Sequence, residues 1–301
     1  MTYRTMDVPV RGGMLRVGEW APMDPDAPAV IAAHGITASH LAWATVADAL
    51  PDVRFIAPDL RGRGRSNGLP GPFGMVQHAE DLAAVSRHFG LDRALVVGHS
   101  MGGFVALAAA HLYPELFTGP LLVDGGIPLA IPDGVTLDDL MTSTLGPALA
   151  RLSMTFPDRA AYLEFWGRHP AFAANWTQDV VDYANYDLEG TEPNLRPSTS
   201  YDAVAADSGD QFGGGVVADS LAALAHPVRL LVAPRGFLDE PPGLYDQSAR
   251  ERARSAYPYL QISEVADVNH YTIVLSPQGA DAVIDAVRSE LAAAADRSLR
   301  K

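Results

Sequence analysis

The stretch Ala94-Leu95-Val96-Val97-Gly98-His99-Ser100-Met101-Gly102-Gly103 decides how this chain is read. Ala94–Val97 is a short apolar run with the character of a buried strand. Met101–Tyr113 has the spacing of a helix, and Pro114 closes it. Between them lies one tight turn, Gly98-x-Ser100-x-Gly102. A strand that enters a helix through so sharp a bend forces the central serine into a strained conformation. The flanking glycines leave room for neighbouring backbone to come close. The hydroxyl of Ser100 is then presented at the carboxyl end of a sheet and at a helix N-terminus, where the helix dipole favours developing negative charge. The bare pattern is a weak signal. Its strand–turn–helix setting points to a nucleophile rather than to a structural Gly-rich turn.

The flanks repeat the same rhythm. Met14–Trp20, Ala29–Ala33, Val53–Pro58 and Leu121–Val123 read as strands, and Ala42–Leu50 and Val76–Phe89 read as helices. From about Ile127 to His226 the rhythm breaks into helical patterns with no clear strand, rich in aromatic residues. It resumes with strands at Val228–Ala233 and Leu260–Val265 and helices near Tyr245–Ala256 and Pro277–Ala295. Strand–helix alternation of this kind predicts an α/β fold with a mostly parallel sheet and helices on both faces. About 100 residues are inserted into it.

Composition narrows the function. Hydrophobic residues make up 48% of the 301, enough for a sizeable core. With 22 basic and 36 acidic residues the net charge is −14, which argues against nucleic-acid binding. The one lysine is Lys301, so Schiff-base and P-loop chemistry have no lysine to use. There is no cysteine, hence no disulfide, thiol nucleophile or Cys-ligated metal, as suits a reducing cytosol. No HExxH, EF-hand loop or dinucleotide fingerprint is present, so neither metal nor cofactor is expected. The first residues lack a signal-peptide pattern, and no apolar run approaches about 18 residues. The expectation is a cytoplasmic protein with no membrane partner.

A serine hydroxyl needs a base, and the base needs an orienting acid. Of nine histidines, His270 stands out: it follows the strand Leu260–Val265 on a loop before the last helix, at the sheet's carboxyl edge, in Asp267-Val268-Asn269-His270-Tyr271. His34 reads as local to its loop, and His99 sits within the turn.

Taken together, His34-Gly35, Asp59-Leu60-Arg61-Gly62-Arg63-Gly64-Arg65-Ser66, the turn Gly98–Gly103 and Asn269-His270 closely resemble the motifs of the α/β-hydrolase fold superfamily, from about Val8 to Ala295. The resemblance implies an eight-stranded, mostly parallel sheet. It implies a core of 1–126 and 227–301, and a helical cap over 127–226 between the sixth and seventh strands. It also implies an oxyanion hole from the backbone N–H groups of Ile36 and Met101, with Ser100 as nucleophile and His270 as base. The Arg-rich loop is read as scaffolding. Two acids remain open. Asp239, in Gly236-Phe237-Leu238-Asp239 after the seventh strand, fits the commoner position and is preferred. Asp124, in Val123-Asp124-Gly125-Gly126 after the sixth, fits dehalogenase-like relatives.

Trp166, Trp176 and Tyr183 are candidate substrate contacts from the cap, though an aromatic residue there more often builds cap core. The expected reaction is hydrolysis of a small to medium carboxylic ester, or a lactone, through an acyl-enzyme. A hydrolase of carbon–carbon bonds and a haloperoxidase-like activity use the same triad. A non-catalytic ligand-binding receptor on the same fold is the alternative of another class.

Overall fold

The computed structural model describes residues 1–129, 134–136, 139 and 146–299. Ten strands are present among them: β1 Thr2–Val10, β2 Gly13–Ala21, β3 Ala29–Ala33, β4 Arg54–Pro58, β5 Ala94–His99, β6 Phe117–Val123, β7 Leu188–Thr191, β8 Asn194–Pro197, β9 Val228–Val232 and β10 Leu260–Glu264. Eight form one sheet in the order β1-β2-β4-β3-β5-β6-β9-β10. The β1–β2 and β2–β4 pairs are antiparallel, and every other pair is parallel.

The central strands are covered on both faces, which is why they read as unbroken apolar runs instead of alternating ones. Val30, Ala32, Leu95, Val97, Leu121 and Val123 point into one core layer. It is completed by Val283, Ile284 and Val287 of the helix Pro277–Leu299. Ile31, Ala33, Val96 and Leu122 point into the other. There they meet Ala79, Leu82 and Val85 of the helix Met75–His88, and Phe104, Val105 and Ala108 of the helix Met101–Leu112. Fully burying an aliphatic side chain of this kind contributes about 1.5–3 kcal/mol. The two layers therefore fix the heights of β5, β6 and β9, whose carboxyl ends carry the site.

Between β6 and β9 the described chain is mostly helical, with helices Arg159–Gly167, Gln178–Tyr186, Tyr201–Ser208 and Gly215–Ala222. The first three open on a polar side chain that accepts a helix N–H: Asp158 from Ala161, Thr177 from Val180 and Ser200 from Ala203. Contrary to the purely helical pattern expected here, β7 and β8 pair as an antiparallel hairpin across Glu192-Pro193. Each strand is four residues long; β8 alternates exposed and buried residues, but over so few positions that the pattern does not stand out in the sequence. No helix among the described residues is long and apolar enough to cross a membrane.

Candidate active site

Ser100 sits between β5 and the helix Met101–Leu112 with φ 55° and ψ −123°. A non-glycine residue held there costs on the order of 1–3 kcal/mol, which the packed surroundings must supply. They are packed tightly. A Cβ on Gly98 would lie 1.9 Å from the Gly102 carbonyl oxygen, and one on Gly102 would lie 2.0 Å from that of Ala33. Both are far inside contact distance, so only glycine fits on either side of the serine.

His270 lies on the loop after β10, 2% exposed. Asn269 builds that loop. Its side-chain oxygen accepts the backbone N–H of Tyr271 (3.0 Å) and Thr272 (2.9 Å), and its amide donates to the Ala171 carbonyl. The His270 carbonyl accepts a hydrogen bond from His99 Nε2 at 2.8 Å. His99 therefore carries its proton on Nε2, and burial, reinforced by the neighbouring His270, keeps it neutral by lowering its pKa well below the ordinary value. Phe237 packs on the His270 ring at 4.0 Å between centroids.

The acid beside His270 is Asp124. Its Oδ2 lies 2.7 Å from His270 Nδ1, and its Oδ1 accepts the Ala233 N–H at 3.1 Å. Asp124 is fully buried at the end of β6, with φ 43°. Asp239, preferred from spacing, does not contact His270. Its side chain is 39% exposed, and it accepts from Arg235 Nε at 2.7 Å and Asn269 Nδ2 at 2.9 Å. The extra Pro234-Arg235 in the turn after β9 carries it past the imidazole and onto the neighbouring asparagine, where it steadies the loop.

Ser100 and His270 line one small cavity, together with Gly35, Ile36, Tyr183 and Phe237. No hydrogen bond joins the two side chains among the described residues. Such contacts are often long before substrate binds. Ile36 lines both cavities at Ser100 and Met101 follows Ser100 in the chain, and neither amide donates to a protein acceptor among the described residues. His34 braces the first of these. Its Nε2 accepts the Leu60 N–H (2.9 Å), so Nδ1 carries the proton donated to the Gly35 carbonyl at 2.8 Å. Burial pushes the His34 pKa down to about 3, so this tautomer stays neutral.

Ser100 also opens onto a cavity of about 460 Å³. Its walls include Ile127, Leu129, Phe212, Phe237 and Tyr245, none of them singled out from the sequence. Of the three aromatic residues expected at the substrate, only Tyr183 lines a cavity with Ser100, the small one it shares with His270. Trp166 is 2% exposed inside a cluster with Tyr162, Phe172 and Tyr271, and Trp176 is 39% exposed at that cluster's edge. Neither lines the cavity. Among the described residues no group of three or more His, Asp or Glu is arranged to hold a metal ion.

The chain has known relatives. The alpha/beta hydrolase fold family model matches residues 28–177. The chain belongs to the α/β-hydrolase fold superfamily. Within the superfamily it is 26% identical to a 2-(acetamidomethylene)succinate hydrolase of Mesorhizobium japonicum over 257 residues, 83% of this chain and 84% of that protein. It is 34% identical to the lipase LipV of Mycobacterium tuberculosis over 122 residues, 40% of this chain and 45% of the lipase. Other mycobacterial relatives are spanned over 39% of their length. The solved structure of an E-2-(acetamidomethylene)succinate hydrolase superposes with a TM-score of 0.76 at 21% identity, covering 96% of this chain and 99% of that one. That likeness is one of fold.

Proposed function

We propose that this α/β-hydrolase is a serine hydrolase that cleaves small to medium carboxylic esters through an acyl-enzyme. One observation carries the reading: a strained serine shares a cavity with a histidine whose other ring nitrogen is bonded to a buried carboxylate. Asp124 holds Nδ1 of His270 protonated, which leaves Nε2 free to accept the Ser100 proton as the oxygen attacks the ester carbonyl. The N–H groups of Ile36 and Met101 take the oxyanion. His270 then protonates the departing alkoxide, and the acyl group stays on Ser100. Water, deprotonated by His270, attacks the acyl-enzyme and releases the acid and the free serine.

Residues 127–226 serve as a cap in this reading. Ile127, Leu129 and Phe212 from that stretch line the 460 Å³ cavity together with Phe237 and Tyr245 of the core. Walls of this kind favour an apolar acyl or alcohol group. Names among the relatives, a lipase and a hydrolase, agree with hydrolytic chemistry. The test is a series of p-nitrophenyl esters and lactones of graded length, run beside Ser100→Ala and a fluorophosphonate probe. Turnover and labelling should both vanish in Ser100→Ala. A parent protein that neither turns over esters nor takes the probe refutes the reading and favours a binding protein.

A further inference from the structure

Three successive carbonyls of the loop after β3 are each gripped by a side chain. The Gly35 carbonyl is held by His34, as described above. The Ile36 carbonyl accepts from Arg63 Nε at 2.9 Å, and the Thr37 carbonyl accepts from Arg151 Nη2 at 2.9 Å. Both arginines are buried, at 0% and 1% exposure. Each guanidinium is a fork with its other prong on a carboxylate. Arg63 Nη1 donates to Asp207, and Arg151 Nη1 donates to Asp187 at 2.7 Å. Asp207 also accepts from His78 Nε2 (3.0 Å) and the Gly74 N–H (2.5 Å). Asp187 also accepts from the hydroxyls of Tyr162 and Ser198. Arg63 Nη2 further reaches Met101 Sδ at 3.7 Å, and the Arg151 guanidinium lies 5.0 Å over the Trp166 ring.

Both carboxylates belong to the stretch between β6 and β9, whereas the carbonyls belong to the core loop that carries the Ile36 N–H. A buried guanidinium needs its carboxylate, since an unpaired buried charge is costly. The planar fork then transmits the carboxylate's position to the carbonyl. His34 holds the carbonyl of the Gly35–Ile36 peptide from within the loop, and the two arginines tie back the next two carbonyls, so the Ile36 N–H is held between a local contact and two contacts from outside the loop.

We propose that Arg63 and Arg151 are positioning residues that aim the Ile36 N–H, and that Asp207 and Asp187 make this aim depend on the docked insert. The proposal rests on the serine-hydrolase reading above. An oxyanion donor acts on charge that develops in the transition state, so misaiming it lowers kcat and leaves ground-state binding almost unchanged.

The experiment compares the parent with Arg63→Met and Arg151→Met, and with the charge-neutral pairs Arg63→Met/Asp207→Asn and Arg151→Met/Asp187→Asn. The pairs leave no unpaired buried charge and carry the test if the single variants do not fold. Arg63→Lys and Arg151→Lys, which keep the charge but not the planar fork, complete the set. Three quantities are read: kcat and KM on one p-nitrophenyl ester, and the Ki of a boronic acid with the same acyl skeleton, whose tetrahedral adduct places an anionic oxygen in the hole. The expected result is a kcat lowered about 10- to 100-fold with KM within about threefold, and a boronate Ki raised in step with the loss of kcat. Folded variants that keep kcat, or lose affinity for ester and boronate alike, overturn the proposal. Absence of Ser100-dependent turnover in the parent is a different result, and it overturns the hydrolase reading itself.

Discussion

Asp124→Asn and Asp239→Asn separate the two candidate acids. In the folded protein Asp124 Oδ1 accepts the Ala233 N–H and Oδ2 faces His270 Nδ1. Asparagine at this buried position must keep its carbonyl oxygen toward Ala233, since the backbone donor has no other acceptor there. Its NH2 group then faces His270 and donates to Nδ1, so the ring proton moves to Nε2. A protonated Nε2 cannot accept the serine proton, and the stabilising charge beside the imidazolium is gone as well. The same exchange in a serine protease triad lowers kcat by about 10⁴, or about 5.5 kcal/mol at 1.36 kcal/mol per decade. Asp239 sits in a half-exposed pair with Arg235. Such pairs contribute about 0–1 kcal/mol, and an asparagine oxygen can still accept from one of the two donors. A change of less than about fivefold in kcat is therefore expected at position 239. The assay is kcat on a p-nitrophenyl ester, with thermal melts to show that both variants fold. A folded Asp124→Asn enzyme within tenfold of the parent refutes the argument, as does a larger loss at Asp239.

Two further outcomes follow from the same contacts. His34, at about 3, and His99, lowered well below its ordinary value, stay neutral in the folded chain, whereas the unfolded chain takes up their protons near pH 6.5. Between those limits the unfolded state binds more protons, so stability falls with falling pH from about 6.5. His34 alone removes about 2 kcal/mol between pH 8 and pH 5. Urea midpoints at pH 8, 6 and 5 should decline steadily, and a level profile down to pH 5 contradicts this. Phe237→Ala removes the ring shared by the two cavities at Ser100, so kcat/KM should shift toward longer or bulkier esters by about tenfold relative to short ones. An unchanged ranking across the ester series counts against an acyl site beside Phe237.

The fold was legible wherever strands are buried on both faces, because Ala29–Ala33 and Ala94–Val97 are continuously apolar, and Leu230–Val232 of β9 likewise, where they sit between two helix layers. It was not legible at β1. That edge strand pairs with β2 along Thr2–Val10, and only Val8 of its nine residues is buried, so its apolar alternation is confined to Met6, Val8 and Val10 at the end of the strand and is too short to stand out. The aromatic residues of the insert misled for a related reason. A run rich in Trp, Tyr and Phe gives a residue's tendency to be buried but not against what, and Trp166 is buried in its own cluster, whereas Tyr183 lines the small cavity at the serine.

Within the site, legibility follows the sequence distance over which each feature is determined. The bend at Ser100 is enforced by residues two away on either side, so its glycines are visible in a hexapeptide. The choice of acid is settled by partners far apart: Asp124 and His270 are 146 residues apart, and Asp124 and Ala233 are 109 apart. A local hint did exist. Asp124 precedes Gly125-Gly126, and a Cβ on Gly125 would lie 1.9 Å from the Ser100 carbonyl oxygen. A loop that must press bare backbone against the serine turn brings its neighbouring carboxylate to the imidazole behind it. The turn holding Asp239 has no such close approach to Ser100, and proline and arginine lengthen it away from the serine. Spacing after a strand counts residues along the chain, but burial against the serine turn decides which carboxylate the histidine meets.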